Sequence, residues 1–294
     1  MKIKSRKALA IVLVLSAGAA VVPQLCGQTQ TGGTLPSAKE IVAKYDEVLG
    51  GEAALRRHTS STMRGTNEVH GPTKVVTLPF VFYASAPYLR LEKVSLPDNK
   101  GEVLNGFDGK LAWSFDPRSG PAIATGDERE SVKRDADFYY PLDELTWFKS
   151  METVGVQDYE GQRCYHLHGI NNWGKTNDHF YDQKTGLLVG YEFDSEWRGG
   201  PGLTHEIFSD YQKIDGVLVP MKQVVKIKSK SGGDWTVLQV TTYNSVTFND
   251  VDRAVFTPPA SVRDLVSKGK QHSTSSPGLA HTQFHIALRE RTAG

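Results

Sequence analysis

Cysteine is nearly absent: there are two, Cys26 and Cys164, in 294 residues. A chain of this length buries enough apolar surface to fold without staples, so a disulfide framework is neither needed nor implied. Cys164 sits in an apolar strand pattern and reads as a small core residue rather than a nucleophile. Strong charge of either sign is missing too, with 34 basic groups against 33 acidic ones. Phosphate neutralisation dominates nucleic-acid affinity, and this balance offers no basis for it. The aromatic residues also lack the Arg/Lys interleaving of a single-strand platform. No apolar run is long enough for a stable membrane span, which takes about 20 residues. Internal repeats are not seen.

Motifs for catalysis are equally scarce. The serines form no G-x-S-x-G elbow, and no H-E-x-x-H pattern occurs. Gly199-Gly200-Pro201-Gly202 joins two strands and reads as a turn; a phosphate cradle needs a following helix. The carboxylates Asp143-Glu144 and Glu128/Glu130 read as solvated faces. His166 and His168 lie two apart on a strand, so their imidazoles point the same way. With His179 or Asp182 they form a candidate metal set, although paired histidines on a polar strand face are the commoner situation. The expectation is therefore no metal, no cofactor and no enzyme, with a hydrolase centred on His166, His168 and His179 as a remote alternative.

What the sequence does contain begins with a targeting signal. Lys2, Lys4, Arg6 and Lys7 precede the apolar run Ala8–Leu15 and the small residues 16–20. Basic, apolar, then small is the signal-peptide order, with cleavage after Ala19 or near Gly27. Removing its four basic groups from the total of 34 leaves 30 against 33 acidic, a net charge of −3. Such a slightly acidic protein has no electrostatic reason to coat an anionic bilayer. A lipid anchor at Cys26 would require a small preceding residue, and Leu25 is not one, so plain export to the periplasm is the expectation.

Residues 28–36 form a polar linker. Ser37-Ala38-Lys39-Glu40 is a capping box, and Ile41, Tyr45, Val48 and Leu49 make one helical stripe. Gly50-Gly51 ends that helix, and a short turn over Glu52 to Arg57 follows. Strands dominate from residue 59. Val76, Leu78, Phe80 and Phe82 alternate with Val75, Thr77, Pro79 and Val81, so both faces are largely apolar. Asp108-Gly109 between residues 103–107 and 111–115 signals a type I′ hairpin. Leu187, Val189, Tyr191, Phe193 and Trp197 share a face opposite Gly190, Glu192, Asp194 and Glu196. Val225 and Ile227 alternate with Lys226 and Lys228, and Trp235 to Phe248 is a further long strand. Segments near ten residues separated by Gly, Asp and Asn turns describe an antiparallel meander. Between its halves lie a charged stretch, Asp127 to Asp137, and an aromatic one, Phe138 to Phe148. In the latter Leu142, Leu145 and Phe148 share a helical face behind Pro141. After Pro258-Pro259 the pattern fades, and residues 263–294 read as a disordered polar tail.

A sheet with large apolar side chains on both faces either closes on itself or leaves an apolar cavity. Each CH₂ buried in such a cavity is worth about 0.8 kcal/mol, which suits alkyl ligands.

The order of these elements resembles the LolA/LolB-like outer-membrane lipoprotein-sorting family over residues 37–262. The amphipathic first helix is followed by Pro87-Tyr88-Leu89-Arg90-Leu91, then by Asp108-Gly109-Lys110 with Trp113, Phe115, Asp116 and Pro117. Next come Leu145-Thr146-Trp147-Phe148, Tyr181-Asp182 with Thr185-Gly186-Leu187, and Phe208-Ser209-Asp210-Tyr211 with Asp215-Gly216-Val217 and Pro220. Val255-Phe256-Thr257-Pro258-Pro259 closes the series. The resemblance implies a mainly β (α+β) fold: one curved antiparallel sheet forming an unclosed half-barrel, covered by the N-terminal helix and a short inserted lid helix. It also implies a hydrophobic cavity for a lipid or a lipoprotein acyl chain, no catalysis, and partners among inner-membrane or outer-membrane lipoprotein-handling proteins. On alternation parity the cavity and lid residues are Phe80, Phe82, Leu89, Leu91, Trp113, Phe115, Leu145, Trp147, Phe148, Tyr191 and Phe193. The family carrier has an arginine before the proline matching Pro87 that helps latch its lid, and here that residue is Ala86. The same half-barrel also suits a lipid-sensing domain that reports to a protein partner.

Overall fold

The chain divides into two units, at Thr34 and Leu35; the computed structural model describes residues 34–267, and the fold below belongs to the second unit. The expected signal peptide, most of the linker and most of the tail lie outside the described residues. The capping box forms: Glu40 N–H donates to Ser37 Oγ (3.3 Å), and Ser37 N–H to Glu40 Oε2 (2.7 Å). Helix α1 (Ala38–Leu49) follows, ends at Gly50 with φ +133°, and leads into α2 (Glu52–Arg56). Gly50 is needed there, because an added Cβ would stand 2.5 Å from the Gly216 carbonyl oxygen.

Among the described residues thirteen strands form one antiparallel sheet. The first six are β1 (Ser60–His70), β2 (Val75–Ser85), β3 (Leu89–Ser95), β4 (Glu102–Phe107), β5 (Ala112–Asp116) and β6 (Gly120–Ala124). Two short helices interrupt the chain, α3 (Gly126–Asp135) and α4 (Tyr140–Asp143), with a 3₁₀ turn over Glu144–Trp147. The remaining seven strands are β7 (Phe148–Tyr159), β8 (Gln162–Asn171), β9 (Thr176–Asp182), β10 (Leu188–Trp197), β11 (Gly200–Ile214), β12 (Val217–Ser229) and β13 (Thr236–Phe248). Helix α5 (Ala260–Ser267) ends the described chain.

The strand order is β6-β5-β4-β3-β2-β1-β13-β12-β11-β10-β9-β8-β7. Every neighbour is a sequence neighbour except β1 and β13, which join the two meanders. Strands β6 and β7 are therefore free edges, and the sheet is an unclosed half-barrel. The α3–α4 segment connects those two edges, so the insert spans the open side.

Pairing register sorts the side chains. Across β1, β2 and β3, Met63 faces Phe82 and Phe82 faces Glu92. Across β13 to β9 the same inner row continues through Thr241, Gln223, Phe208, Glu206, Tyr191 and His179. Helix α1 lays Ile41, Val42, Tyr45 and Leu49 on this inner face, against Leu167, Tyr181 and Leu188. At the other end α3 covers Phe107 and Ala112 through Val132 and Ala136.

Three local expectations are corrected. The Asp108 hairpin forms, but Gly109 alone has positive φ, so the turn is not type I′. Asp108 Oδ1 instead accepts from the N–H groups of Lys110 (2.8 Å) and Leu111 (2.7 Å), closing the loop through its side chain. Val189 leaves the face of Tyr191 and Phe193 because a bulge lies between Leu188 and Gly190; it packs outside with Tyr159, Cys164 and Phe180. The chain past residue 262, read as the start of the tail, continues in α5 to Ser267. Pro258-Pro259 precedes that helix, and its fully buried Val262 packs on the outer face of the sheet.

Candidate functional site

The concave face beneath α1, α3 and α4 holds two adjoining chambers. The first, about 250 Å³, is lined mostly by apolar groups, among them Tyr45, Leu49, Ala84, Phe138, Leu142, Leu218 and Phe248. The second, about 230 Å³, is lined by Arg90, Arg134, Tyr140, Glu206, Gln223 and Tyr243, with His179 and Tyr191 at its wall. Phe82 and Asp135 border both. The half-barrel thus encloses an apolar compartment beside a charged one.

Of the predicted cavity residues, Phe82 lines both chambers and Tyr191 the polar one, and the other nine line neither. Phe80 is buried on the concave face, edge-on to Tyr243 at 5.5 Å. Phe82 is the partition between the chambers. Tyr191 lines the polar chamber, its ring 4.4 Å from that of His179, and Phe193, opposite Thr204 and Asn177, shares that inner face. Leu145 packs beneath α1. Phe148 is the first residue of β7 and meets His179 edge-on at 5.2 Å. Trp147 is buried, donates from Nε1 to Asp137 Oδ2 (2.8 Å), and stands edge-on to Tyr88. The helical face expected of Leu142, Leu145 and Phe148 is only partly formed: α4 ends at Asp143, a 3₁₀ turn over Glu144–Trp147 follows, and Phe148 already belongs to β7. Leu89, Leu91, Trp113 and Phe115 are not in the cavity. The first three form a separate cluster on the outer face with Phe256 and Val262, and Phe115 pairs with Leu104 of that side. A sheet with apolar side chains on both faces gives no parity signal for which face is concave, and α5 covers the other one.

The lid is tied down through main-chain and aromatic contacts. Phe138 N–H donates to the Pro87 carbonyl (3.0 Å) and Tyr139 Oη–H to the His58 carbonyl (3.0 Å). Glu144, fully buried at the end of α4, takes Tyr181 Oη–H at 2.6 Å and lies 2.7 Å from His179 Nδ1, both at Oε1. Its Oε2 has no hydrogen-bond partner among the described residues. Burial, reinforced by Glu144, raises Asp46 of α1 to about 7.

The polar chamber carries the residues that sequence reasoning missed. Arg134 of α3 is buried, and its Nη2–H and Nε–H donate to Asp135 Oδ1 at 2.8 and 3.2 Å. Gln223 Nε2–H donates to Glu206 Oε1. Burial pushes the Glu206 carboxyl up to about 8, and the nearby Asp135 charge adds to it. Burial also raises Glu92, against the pull of Arg90. The stretch Asp127–Asp137 reads as a solvated charge run, yet its helix turns Ser131 and Arg134 inward. The available signal was the i, i+3 spacing of those two residues beside Ala136.

The histidine set is dispersed. His166 Nε2 and His168 Nδ1 lie 2.7 and 2.8 Å from one oxygen of Asp178 on the outer face, whereas His179 points inward to Glu144. Alternation sends 166 and 168 to the same side, but His179 on β9 faces Leu167, which points the other way. Among the described residues no group of three His, Cys, Asp or Glu side chains is placed to hold a metal. The geometry that a hydrolase centred on these three residues requires is not present. No described helix is long and apolar enough to cross a membrane. Cys164 is buried and free, as a core residue should be.

No protein-family model matches the sequence, and no curated protein matches it. Solved structures do match in three dimensions. A LolA superfamily protein from Nitrosomonas europaea aligns with a TM-score of 0.53 at 15% identity, over 76% of this chain and 99% of that one. A DUF1329 family protein from Desulfovibrio piger aligns with a TM-score of 0.52 at 14% identity, over 74% and 96%. A putative outer membrane lipoprotein-sorting protein domain from Vibrio parahaemolyticus gives 0.52 at 12%, over 74% and 95%. Likeness at this identity speaks to architecture, and the architecture is the LolA-like half-barrel.

Proposed function

We propose that the protein is a periplasmic, non-enzymatic carrier or binding protein that holds acyl chains of lipids or lipoproteins on the concave face of the half-barrel. One observation carries this reading: an apolar chamber of about 250 Å³ lies between the sheet and the α3–α4 insert. Cavities lined by large apolar side chains favour alkyl ligands, and each buried CH₂ contributes about 0.8 kcal/mol. The LolA-like architecture supports the same reading by analogy of fold. Export by the N-terminal signal would place the protein where lipoproteins are sorted, and handling proteins at either membrane would be its partners.

The test starts from protein purified from the periplasm under its own signal, followed by native mass spectrometry and organic extraction. A discrete added mass that extracts as a lipid is expected. Filling the apolar chamber with Ala84→Trp should then remove that mass and abolish uptake of a fluorescent fatty acid. Apo protein that also fails to take up the probe would refute the reading.

A further inference from the structure

An acyl chain needs only apolar walls, so the second chamber is unexplained by chain binding alone. We infer that the polar chamber is a head-group site, and that the ligand is a single-chain amphiphile whose free carboxylate is received by Arg90. The inference rests on the proposed acyl-binding role and narrows it to a long-chain carboxylate; lipoprotein chains, joined as esters or amides, lack that group.

Arg90 carries the argument. Its guanidinium lies over the Phe82 ring at 5.2 Å, on the partition between the chambers. Nη2 is 3.8 Å from Glu92 Oε2 and Nη1 is 3.9 Å from Asp135 Oδ2. Both distances exceed hydrogen-bond reach, and the side chain, only 11% exposed, lines the polar chamber. A buried cation is expensive unless hydrogen bonds satisfy its protons. Guanidinium and carboxylate match as a bidentate pair, shorter and stronger than neutral hydrogen bonds.

The chamber's other groups select the same ligand. Arg134 is neutralised by Asp135 at 2.8 Å. Gln223, 5% exposed, gives its amide N–H to Glu206 and leaves Oε1 without a partner among the described residues. With Glu206 held protonated near neutral pH, the guanidiniums of Arg90 and Arg134 stand against the carboxyls of Asp135 and Glu92, and burial disfavours the charged form of Glu92. A single carboxylate adds less uncompensated charge to this low-dielectric chamber than a doubly charged phosphate monoester would. Because Phe82 and Asp135 border both chambers, a chain in the apolar compartment places its terminal group beside Arg90.

Delipidated full-length protein should be titrated calorimetrically at pH 7.5 with dodecanoate and with dodecanol, which share a chain length and differ in the head. Dodecanoate should bind at least tenfold more tightly, as expected for a hydrogen-bonded charge pair. Arg90→Gln should erase that difference by weakening dodecanoate at least tenfold more than dodecanol. Arg90→Lys, which keeps the charge and loses the fork, should restore only part of it. Equal affinity of the wild type for both ligands overturns the head-group site and leaves the acyl-binding role standing. Binding of neither ligand removes both. The two-ligand comparison on the wild type decides the matter even where the variants fail to fold.

Discussion

Glu206 links the polar interior to stability in a way that can be worked out. It sits on β11 at 9% exposure, with Gln223 as its donor and Asp135 nearby. Burial raises its pKa from 4.5 to about 8. In the unfolded chain the group ionises near 4.5, whereas in the folded protein it keeps its proton until about 8. Between those values the unfolded state binds fewer protons, so stability falls as pH rises and the loss is complete above 8. At about 1.4 kcal/mol per pH unit, the 2.5 units between 4.5 and 7 cost roughly 3 kcal/mol. Glu206→Gln keeps the shape and the acceptor for Gln223 but cannot ionise. The variant should match the wild type near pH 4 and exceed it by up to about 3 kcal/mol at pH 7, a shift on the order of 6–12 °C in Tm for a domain of this size. Urea unfolding followed by tryptophan fluorescence from pH 4 to 8 measures the difference between the two proteins, which cancels all other titrations. A difference that does not change with pH would refute the assignment of a buried, protonated Glu206.

Two further substitutions probe the lid and the sheet. Trp147→Phe removes the Nε1–H that Asp137 Oδ2 accepts in a buried setting; the orphaned carboxylate should cost about 1–3 kcal/mol in urea unfolding, and an unchanged midpoint would mean the insert is not held there. Gly65→Ala drives a Cβ to 2.0 Å from the Thr242 carbonyl oxygen on the strand that joins the two meanders. Backbone cannot step aside as a side-chain tip can, so the melting temperature should fall by the equivalent of about 1–3 kcal/mol or more; a wild-type melt would show the β1–β13 junction to be pliable.

Much of the fold was legible because its signals are local. The Ser37–Glu40 capping box, the Gly50 stop, the Asp108-Gly109 hairpin and the alternation of Val225 and Ile227 with Lys226 and Lys228 each depend on residues near one another, and all four appear in the structure. What lay beyond reach depends on partners distant in sequence. Leu89, Leu91 and Trp113 have the composition of cavity walls, but α5, between about 150 and 180 residues further along the chain, covers their face. Val189 alternates correctly with Tyr191 until a bulge at Leu188, set by pairing with β9, moves it outside. A period of two locates two faces and says nothing about which one a helix covers.

Little of the candidate site was legible: of the predicted cavity residues Phe82 alone lines the apolar chamber, and the polar half was hidden for one physical reason. Sequence patterns assign charged residues to solvent because isolated buried charges are costly, and that rule holds on average. It fails where a protein brings several charges to one interior point and lets them satisfy one another. Arg134 arrives on an insert that reads as a solvated charge run, Arg90 on β3, and Glu206 and Gln223 on β11 and β12; only the folded sheet makes them neighbours. The rule's violations are informative for that reason. A half-barrel that needed only to hold alkyl chains could line its whole concave face with Phe and Leu, at lower desolvation cost. Retaining Arg90 with its donors beyond hydrogen-bond reach of Glu92 and Asp135 lowers stability in the empty protein, and an anionic head group is the element that would offset that loss.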